Sequence, residues 1–292
     1  MIDGKTQLVG LLAWPVGHSL SPVMHNAAFD ALGLNWRYLP LPAPPGQVEA
    51  AVRGLAALGF CGANVTVPHK QAVIPALDAI APDAAEFGAV NTIVVARSAE
   101  GVATLIGHNT DYKAFINTLR QGEFDPTGKR VVVVGAGGAG RAVVFGLLRE
   151  GVEEIVVLDI AAERAEALLA DLGGGEPCRL RTLPLATEAL IESARAADLL
   201  VNATPLGMWP HVEGCLWPDE APVPAHLTVF DLVYNPLETR LLRQARASGA
   251  RGLDGLGMLV GQGALAFGMW TGAGPLEKIA AVMRRACEQA LA

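Results

Sequence analysis

Apolar residues along this chain gather in short runs and in stripes of helical period that alternate with one another, the pattern of strands interleaved with helices. The run at 7–13 predicts a strand. The next segment reads as a helix with Ser21 as N-cap, Pro22 in the first turn and Gly33 just beyond the end. Strands at 36–41 and 62–67 flank a helix at 47–58 that Gly59 stops. Segments 89–96 and 102–106 read as a hairpin across 98–101, closing a portion whose alternation implies a parallel-type sheet.

After a helix at 111–121, the turn-rich EFDPTGK at 123–129 precedes the most apolar strand, 131–134, and marks a crossover between domains. Helix 138–149, strand 154–159, helix 162–172 and strands 198–202 and 228–233 continue the alternation as a doubly wound unit. The glycines at 173–175 mark a turn. Residues 256–276 carry no charge and have the length of a bilayer span, but Gly257, Gly261, Gly263, Gly268, Gly272, Gly274 and Pro275 interrupt them and Gln262 sits inside. A buried helix followed by a turn explains the stretch better. The last helix, 275–291, places Leu276, Ile279, Ala280 and Met283 on one face that must pack.

At 292 residues the chain is long enough for two cores, and 51% hydrophobic against 17% charged residues excludes a disordered protein. With 22 basic and 29 acidic side chains it is too acidic for a nucleic-acid binder, which leaves a small-molecule protein as the expectation. The cysteines at 61, 178, 215 and 287 form no CxxC pair and have no nearby His at ligand spacing, so neither a metal site nor a disulfide framework is expected. The opening MIDGKTQLVG lacks an export signal, so the expectation is a cytoplasmic protein.

Gly135, Gly137 and Gly140 form GxGxxG directly after an apolar strand and at the opening of a helix, where free amide groups can hold a pyrophosphate. Asp159 follows Gly140 by 19 residues, at the end of the next strand, where a carboxylate can accept hydrogen bonds from an adenosine ribose. The competing reading is a glycine-rich tight turn with Asp159 capping the next helix. A carboxylate there would repel a 2'-phosphate, and Ile160 and Ala161 supply no cation, so NAD is favoured over NADP, with Arg164 as the phosphate partner otherwise.

Eight ordered segments carry a family resemblance: HSLSPVMHNAAF at 18–29, NVTVPHK at 64–70, GAVNT at 88–92, GHNTD at 107–111, VGAGGAGRA at 134–142, NATPLGM at 202–208, DLVYNPLET at 231–239 and GLGMLVGQGALAF at 255–267. The chain resembles the shikimate/quinate dehydrogenase family over nearly its whole length. The resemblance implies an α/β protein of two domains. Residues 1–110 with 256–292 would bind substrate, residues 111–255 would form a Rossmann-type dinucleotide domain, and the active site would lie in the cleft between them. Lys70 and Asp111 are implied as the catalytic pair, the carboxylate orienting an ammonium that donates a proton as hydride reaches the carbonyl carbon. Read without the family, each is a solvated surface charge, and Asp111 is also a helix N-cap.

The family pattern further places Ser19, Ser21, Thr66, Asn91, Tyr234 and Gln262 around a polyhydroxylated ring acid, shikimate or 3-dehydroshikimate. Each has a plainer reading, as cap, strand residue, turn former or buried-backbone partner. His18 and His25 read as structural. Gly135, Ala136, Gly137, Gly138 and Ala139 would meet the pyrophosphate, and Asp159 to Arg164 the adenosine ribose. Asn202, Ala203 and Thr204 would lie near the second nucleotide half, with Leu232 and Gly255 beside the nicotinamide. Met258 would pack on its ring or serve as core filler.

Two departures matter. Asp159, Ile160 and Ala161 stand where NADP-using relatives carry Asn-Arg-Thr, and Lys113 with Ala114 follows Asp111 where small residues are usual. Lys113 either pairs with a substrate carboxylate or faces solvent. The implied reaction is reversible reduction of 3-dehydroshikimate to shikimate by a monomer or homodimer with no membrane or nucleic-acid partner. The alternatives are an NAD-dependent quinate or dual quinate/shikimate dehydrogenase, against which Ser21 weighs weakly because some quinate-active relatives carry Thr there, and a non-catalytic dinucleotide or metabolite sensor.

Overall fold

The computed structural model describes residues 2–17, 19–172 and 177–292, so His18 and the glycine turn at 173–175 lie outside the described residues. In chain order the elements are β1 (Gln7–Ala13), α1 (Ser21–Ala31), β2 (Trp36–Pro42), α2 (Val48–Ala57), β3 (Gly62–Val65), a 3-10 turn (Ile74–Ala76), β4 (Ala79–Ile80), α3 (Pro82–Phe87), β5 (Thr92–Arg97) and β6 (Ala103–His108). There follow α4 (Asp111–Gln121), β7 (Arg130–Val134), α5 (Gly138–Arg149), β8 (Glu154–Asp159), α6 (Ala162–Leu172), β9 (Arg179–Pro184), α7 (Thr187–Arg195), β10 (Leu199–Asn202), β11 (Thr228–Asp231), α8 (Arg240–Ala247), β12 (Arg251–Leu253), α9 (Leu256–Thr271) and α10 (Leu276–Leu291). Two compact units result, one of residues 1–110, 260–290 and 292, the other of residues 111–259 and 291.

The first unit holds a sheet of order β2-β1-β3-β5-β6-β4. β1 is parallel to β2 and β3, but the β5–β6 hairpin joins antiparallel, with Asn64 opposite Thr92. The parallel-type sheet expected here thus takes in the expected hairpin, whose first strand runs antiparallel to β3. Leu12, Ala63, Val65, Ile93 and Leu105 form its core with Val52 and Leu55 of α2. Gly33 and Gly59 follow α1 and α2 with φ of 65° and 78°, left-handed positions that suit glycine. Ser21 is not the N-cap of α1. Leu20 holds that position without a side-chain bond, and Ser21 is the first helical residue, its N–H donating to Ser19 Oγ at 3.2 Å.

The second unit is an all-parallel sheet of order β12-β11-β10-β7-β8-β9, the doubly wound arrangement. Its central strands read as unbroken apolar runs because both faces are covered. Val131, Val133, Ile155 and Val157 pack on one side with Val143 and Leu147 of α5, while Val132, Val134, Val156 and Leu158 pack on the other with Leu190 of α7 and Leu241 of α8. β4, β9, β12, α3, α7 and α8 are additional to the expected elements, β4 and β12 being only two and three residues long. β9 is an edge strand with Arg179 exposed and Arg181 alternating with half-buried leucine and threonine. The uncharged 256–276 stretch becomes α9 and the turn after it. Among the described residues no helix is long and apolar enough to cross a membrane.

Candidate active site

Strand direction in the first sheet brings four connections to one edge. The carboxyl ends of β1 and β3 lie there, β5 begins there because it runs antiparallel to β3, and β6 ends there because it is antiparallel to β5. Backbone bonds stitch the connections together: Thr66 N–H donates to Leu12 O at 3.0 Å, Val65 N–H to Asn91 O at 2.8 Å and Val90 N–H to Lys70 O at 2.8 Å. Lys70 is thereby held beside the segment carrying Asn91. The Asn91 side chain is buried, and its Oδ1 accepts the Thr110 N–H at 2.9 Å. Asp111, the next residue along, is buried and opens α4 as the first residue of the second unit.

Ser19 and Ser21 stand in the connection from β1 into α1, Ser19 and Thr66 half-buried and Ser21 buried. Gln262 is half-buried on α9, next to Gly263, where an added Cβ would come within 2.4 Å of Met24 Cε. α9 therefore lies against α1 at this glycine. His25 is fully buried, stacks on Tyr38 at 4.4 Å and leaves both ring nitrogens without a hydrogen-bond partner among the described residues. Burial pushes its imidazole down to about 3, so it is neutral and suited to packing.

Three further residues at this edge belong to no sequence expectation. Tyr38 Oη donates to Asn64 Oδ1 at 2.9 Å, Asn64 Nδ2 donates to Thr92 Oγ1 at 3.1 Å, and Thr92 Oγ1 donates to Asn91 Oδ1 at 2.9 Å. Asn64 and Thr92 sit inside the NVTVPHK and GAVNT segments, a signal available before folding. Their pairing depends on strand register.

The carboxyl edge of the second sheet gathers the expected cofactor residues of that unit. Gly135 has φ of 103°, and an added Cβ there would meet Thr204 Cγ2 at 2.9 Å, so strand turn and 203–204 loop touch. At Gly140 a Cβ would lie 1.9 Å from Gly135 O, which only glycine tolerates. Gly137 and Gly138 face open space, and Gly137 caps α5 without a side-chain partner. Amides of the first helical turn at Gly138 and Ala139 are thus placed to meet an anion, a good fit to a pyrophosphate.

Asp159 is buried at the end of β8, with Oδ2 accepting the Ala136 N–H at 2.8 Å and Oδ1 the Ala161 N–H at 2.9 Å. A carboxylate has about four acceptor positions, so ribose hydroxyls can still bind. Ile160 is 83% exposed, and Arg164 is exposed on the first turn of α6.

Asn202 Oδ1 accepts the Thr204 N–H at 3.0 Å, and Asn202 Nδ2 donates to Asp231 Oδ1 at 2.9 Å. Asp231, fully buried, also accepts Thr239 Oγ1 at 2.6 Å and the Val233 N–H at 3.1 Å, and burial raises its carboxyl above the ordinary carboxylate value. Leu232 N–H donates to Asn202 O at 3.0 Å, and a Cβ on Gly255 would lie 2.1 Å from Leu232 O, so those residues form one wall. Tyr234 follows in the same loop, half-buried, in the second unit rather than with the serines. Met258, like Leu232 and Leu253, is partly buried and packs against the core of the second unit that includes Phe115 and Phe230. Lys113 lies over the Tyr112 ring, 5.5 Å from its centroid. Among the described residues no group of three His, Cys, Asp or Glu side chains is placed to hold a metal.

Comparison with known proteins matches three family models: the shikimate dehydrogenase substrate binding domain at residues 11–93, shikimate / quinate 5-dehydrogenase at 117–207, and the shikimate 5'-dehydrogenase C-terminal domain at 255–288. The protein named shikimate dehydrogenase (NADP(+)) from Moorella thermoacetica is 48% identical over 99% of this chain and 95% of its own. Shikimate 5-dehydrogenase from Listeria monocytogenes, solved with shikimate and NAD, superposes with a TM-score of 0.86 at 35% identity, covering 95% of this chain and 96% of that one. Quinate dehydrogenase from Corynebacterium glutamicum, solved with NAD, superposes with a TM-score of 0.87 at 34% identity, covering 97% and 99%.

Proposed function

The chain belongs to the shikimate dehydrogenase family, and on that premise we propose how its residues carry the reversible reduction of 3-dehydroshikimate to shikimate. It is an oxidoreductase that uses a nicotinamide dinucleotide. The bound dinucleotide supplies the hydride or takes it up. Lys70 holds a proton at Nζ and passes it to the substrate oxygen, and Asp111 orients the ammonium. The observation that carries this assignment is the pair of bonds from Val90 N–H to Lys70 O and from Thr110 N–H to Asn91 Oδ1, which brings Lys70, Asn91 and the residue before Asp111 to one sheet edge. Ser19, Ser21, Thr66, Asn91, Tyr234 and Gln262 hold the ring acid through its hydroxyl and carboxylate groups.

On the cofactor side we favour NAD. The Asp159 carboxylate, fixed by Ala136 and Ala161, would face a 2'-phosphate, and neither Ile160 nor Ala161 brings a compensating charge. NADP, named for the Moorella relative, would require Arg164 to supply the clamp. The pyrophosphate sits at Gly135 to Ala139, and the nicotinamide half near Asn202, Ala203, Thr204, Leu232 and Gly255. Residues 1–110 with 256–292 serve the substrate and residues 111–255 the dinucleotide, in a cytoplasmic monomer or homodimer.

The second reading is a quinate or dual enzyme, favoured by the likeness to the Corynebacterium quinate dehydrogenase. Ser21, one methyl group smaller than Thr, weighs modestly against it. The test is an initial-rate comparison of kcat/KM for NAD and NADP, each with shikimate and quinate. Shikimate with NAD as the best pair supports both arguments. NADP as the better cofactor overturns the Asp159 reasoning, quinate as the better substrate overturns the substrate choice, and no turnover with any pair favours a sensor.

A further inference from the structure

The amino ends of β7, β8 and β9 lie at the edge of the second sheet opposite the Gly135 turn and Asp159, and a cavity of about 280 Å³ opens there between the sheet and α7. Alternation along the strands sets Arg130 with Val132, Glu154 with Val156 and Arg181 with Leu183 on its sheet wall. From the other side come Ala189 and Ser193 of α7 and Ala196 just after it, side chains too short to fill the space. Val132, Val156 and Leu183 belong to the core on which α7 packs, so the floor of the cavity is apolar.

The charges around that floor are unequally matched. Arg130 donates through Nε and Nη2 to Glu153 Oε1 at 3.2 and 2.9 Å, an ion pair of its own. Glu154 is buried, with its side chain 12% exposed, yet its nearest cations among the described residues, Arg181 and Arg179, stand off at 3.7 and 3.8 Å, beyond hydrogen-bond reach. A carboxylate taken out of water without a donor in contact lacks the bonds that offset its burial. Glu192 adds a second, exposed carboxylate to the lining. The Arg181 guanidinium, about half exposed, has Glu154 as its counter-charge.

We propose that this cavity is a binding site for a small zwitterion with an apolar body, an α-amino acid with a hydrocarbon side chain: its ammonium on Glu154, its carboxylate on Arg181 and its side chain over Val132, Val156 and Leu183. The charges select both ends of the ligand. An ammonium supplies the donors Glu154 lacks but takes Glu154 away from Arg181, and a carboxylate on the same molecule gives Arg181 its replacement. A simple carboxylic acid would meet Glu154 and Glu192 as like charges. The volume lies just below the roughly 300 Å³ at which pockets for drug-sized ligands begin, which fits a molecule of amino-acid size.

This site goes beyond hydride transfer and does not depend on which ring acid or dinucleotide the carboxyl edges take. β7 advances four residues from Arg130 to Val134, roughly 13 Å at strand rise, so the amino acid and the dinucleotide have room to bind together.

The experiment is calorimetric titration of the full-length protein with L-leucine and L-phenylalanine, without and with saturating dinucleotide. One molecule per chain is expected, with Kd of about 1 mM or tighter, unchanged by the dinucleotide. Phenethylamine and 3-phenylpropionate, which keep one charge each, are expected to bind about tenfold more weakly or worse. Glu154→Gln, of the same shape, should weaken L-phenylalanine about tenfold or more, and Ser193→Leu, which fills the cavity, should abolish binding. Thermal melts and turnover with shikimate check that each variant is folded, and Ala196→Leu serves if Ser193→Leu is not. No heat with either amino acid at tens of millimolar overturns the proposal, as does an affinity unmoved by Glu154→Gln or competition with the dinucleotide. Phenethylamine binding as tightly as L-phenylalanine would overturn the amino-acid class.

Discussion

Asp159 Oδ2 accepts the Ala136 N–H at 2.8 Å, so the residue that ends β8 also pins the glycine turn that ends β7. Its other oxygen takes the Ala161 N–H at 2.9 Å at the entry to α6. Replacing Asp159 with Ala leaves two amides without their acceptor, and a loss of about 1–3 kcal/mol is expected from that alone. KM for NAD should rise while KM for shikimate stays constant. Thermal melts and initial rates check both, and an unchanged KM for NAD would separate Asp159 from the ribose.

Lys70→Ala should lower kcat by about 10²–10⁴-fold, the usual range for a lost general acid, with a far smaller change in KM. If Asp111 acts by orienting the ammonium, the Lys70→Ala, Asp111→Asn double variant should be no slower than the worse single variant. Independent, multiplying losses would place the two residues in separate roles.

His25 has its folded-state value pushed down to about 3 from 6.5 by burial, so the folded protein resists protonation that the unfolded chain accepts. Stability is therefore fully present above pH 6.5 and drains away as pH falls toward 3. At 1.36 kcal/mol per pH unit the full loss is about 4–5 kcal/mol. His25→Phe, which keeps a flat ring against Tyr38, should flatten this part of the curve, measured by urea denaturation between pH 7 and 4.

Asp231 has the opposite sign. Its folded-state value is raised by burial, so the folded protein holds the proton more tightly and stability declines as pH rises from 3.8 through the raised value. Asp231→Asn should remove that decline. Asp231→Ala strands the Asn202 amide, the Thr239 hydroxyl and the Val233 N–H together, and is expected to cost about 2–4 kcal/mol and to raise KM for the dinucleotide by loosening the 202–204 loop. A melt unchanged by Asp231→Ala would deny it this anchoring role.

What the chain determined by itself is what depends on neighbours in sequence. The apolar runs of β7 and β8 announce strands covered on both faces, Gly33 and Gly59 end their helices, and the spacing of Gly135, Gly137, Gly140 and Asp159 foretells a phosphate-binding turn with a carboxylate beside it. Tertiary structure decided the rest. Edge strands such as β9 carry charge on one face and so lack an apolar run, and the antiparallel entry of β5 depends on which strand of the finished sheet has a free edge. Asn64 and Thr92 meet because the register of β3 on β5 sets them opposite each other, and Asn202 meets Asp231 because β10 and β11 run side by side. Apolar periodicity records which face is buried, whereas a buried hydrogen bond between distant residues leaves no periodic trace until the sheet is assembled.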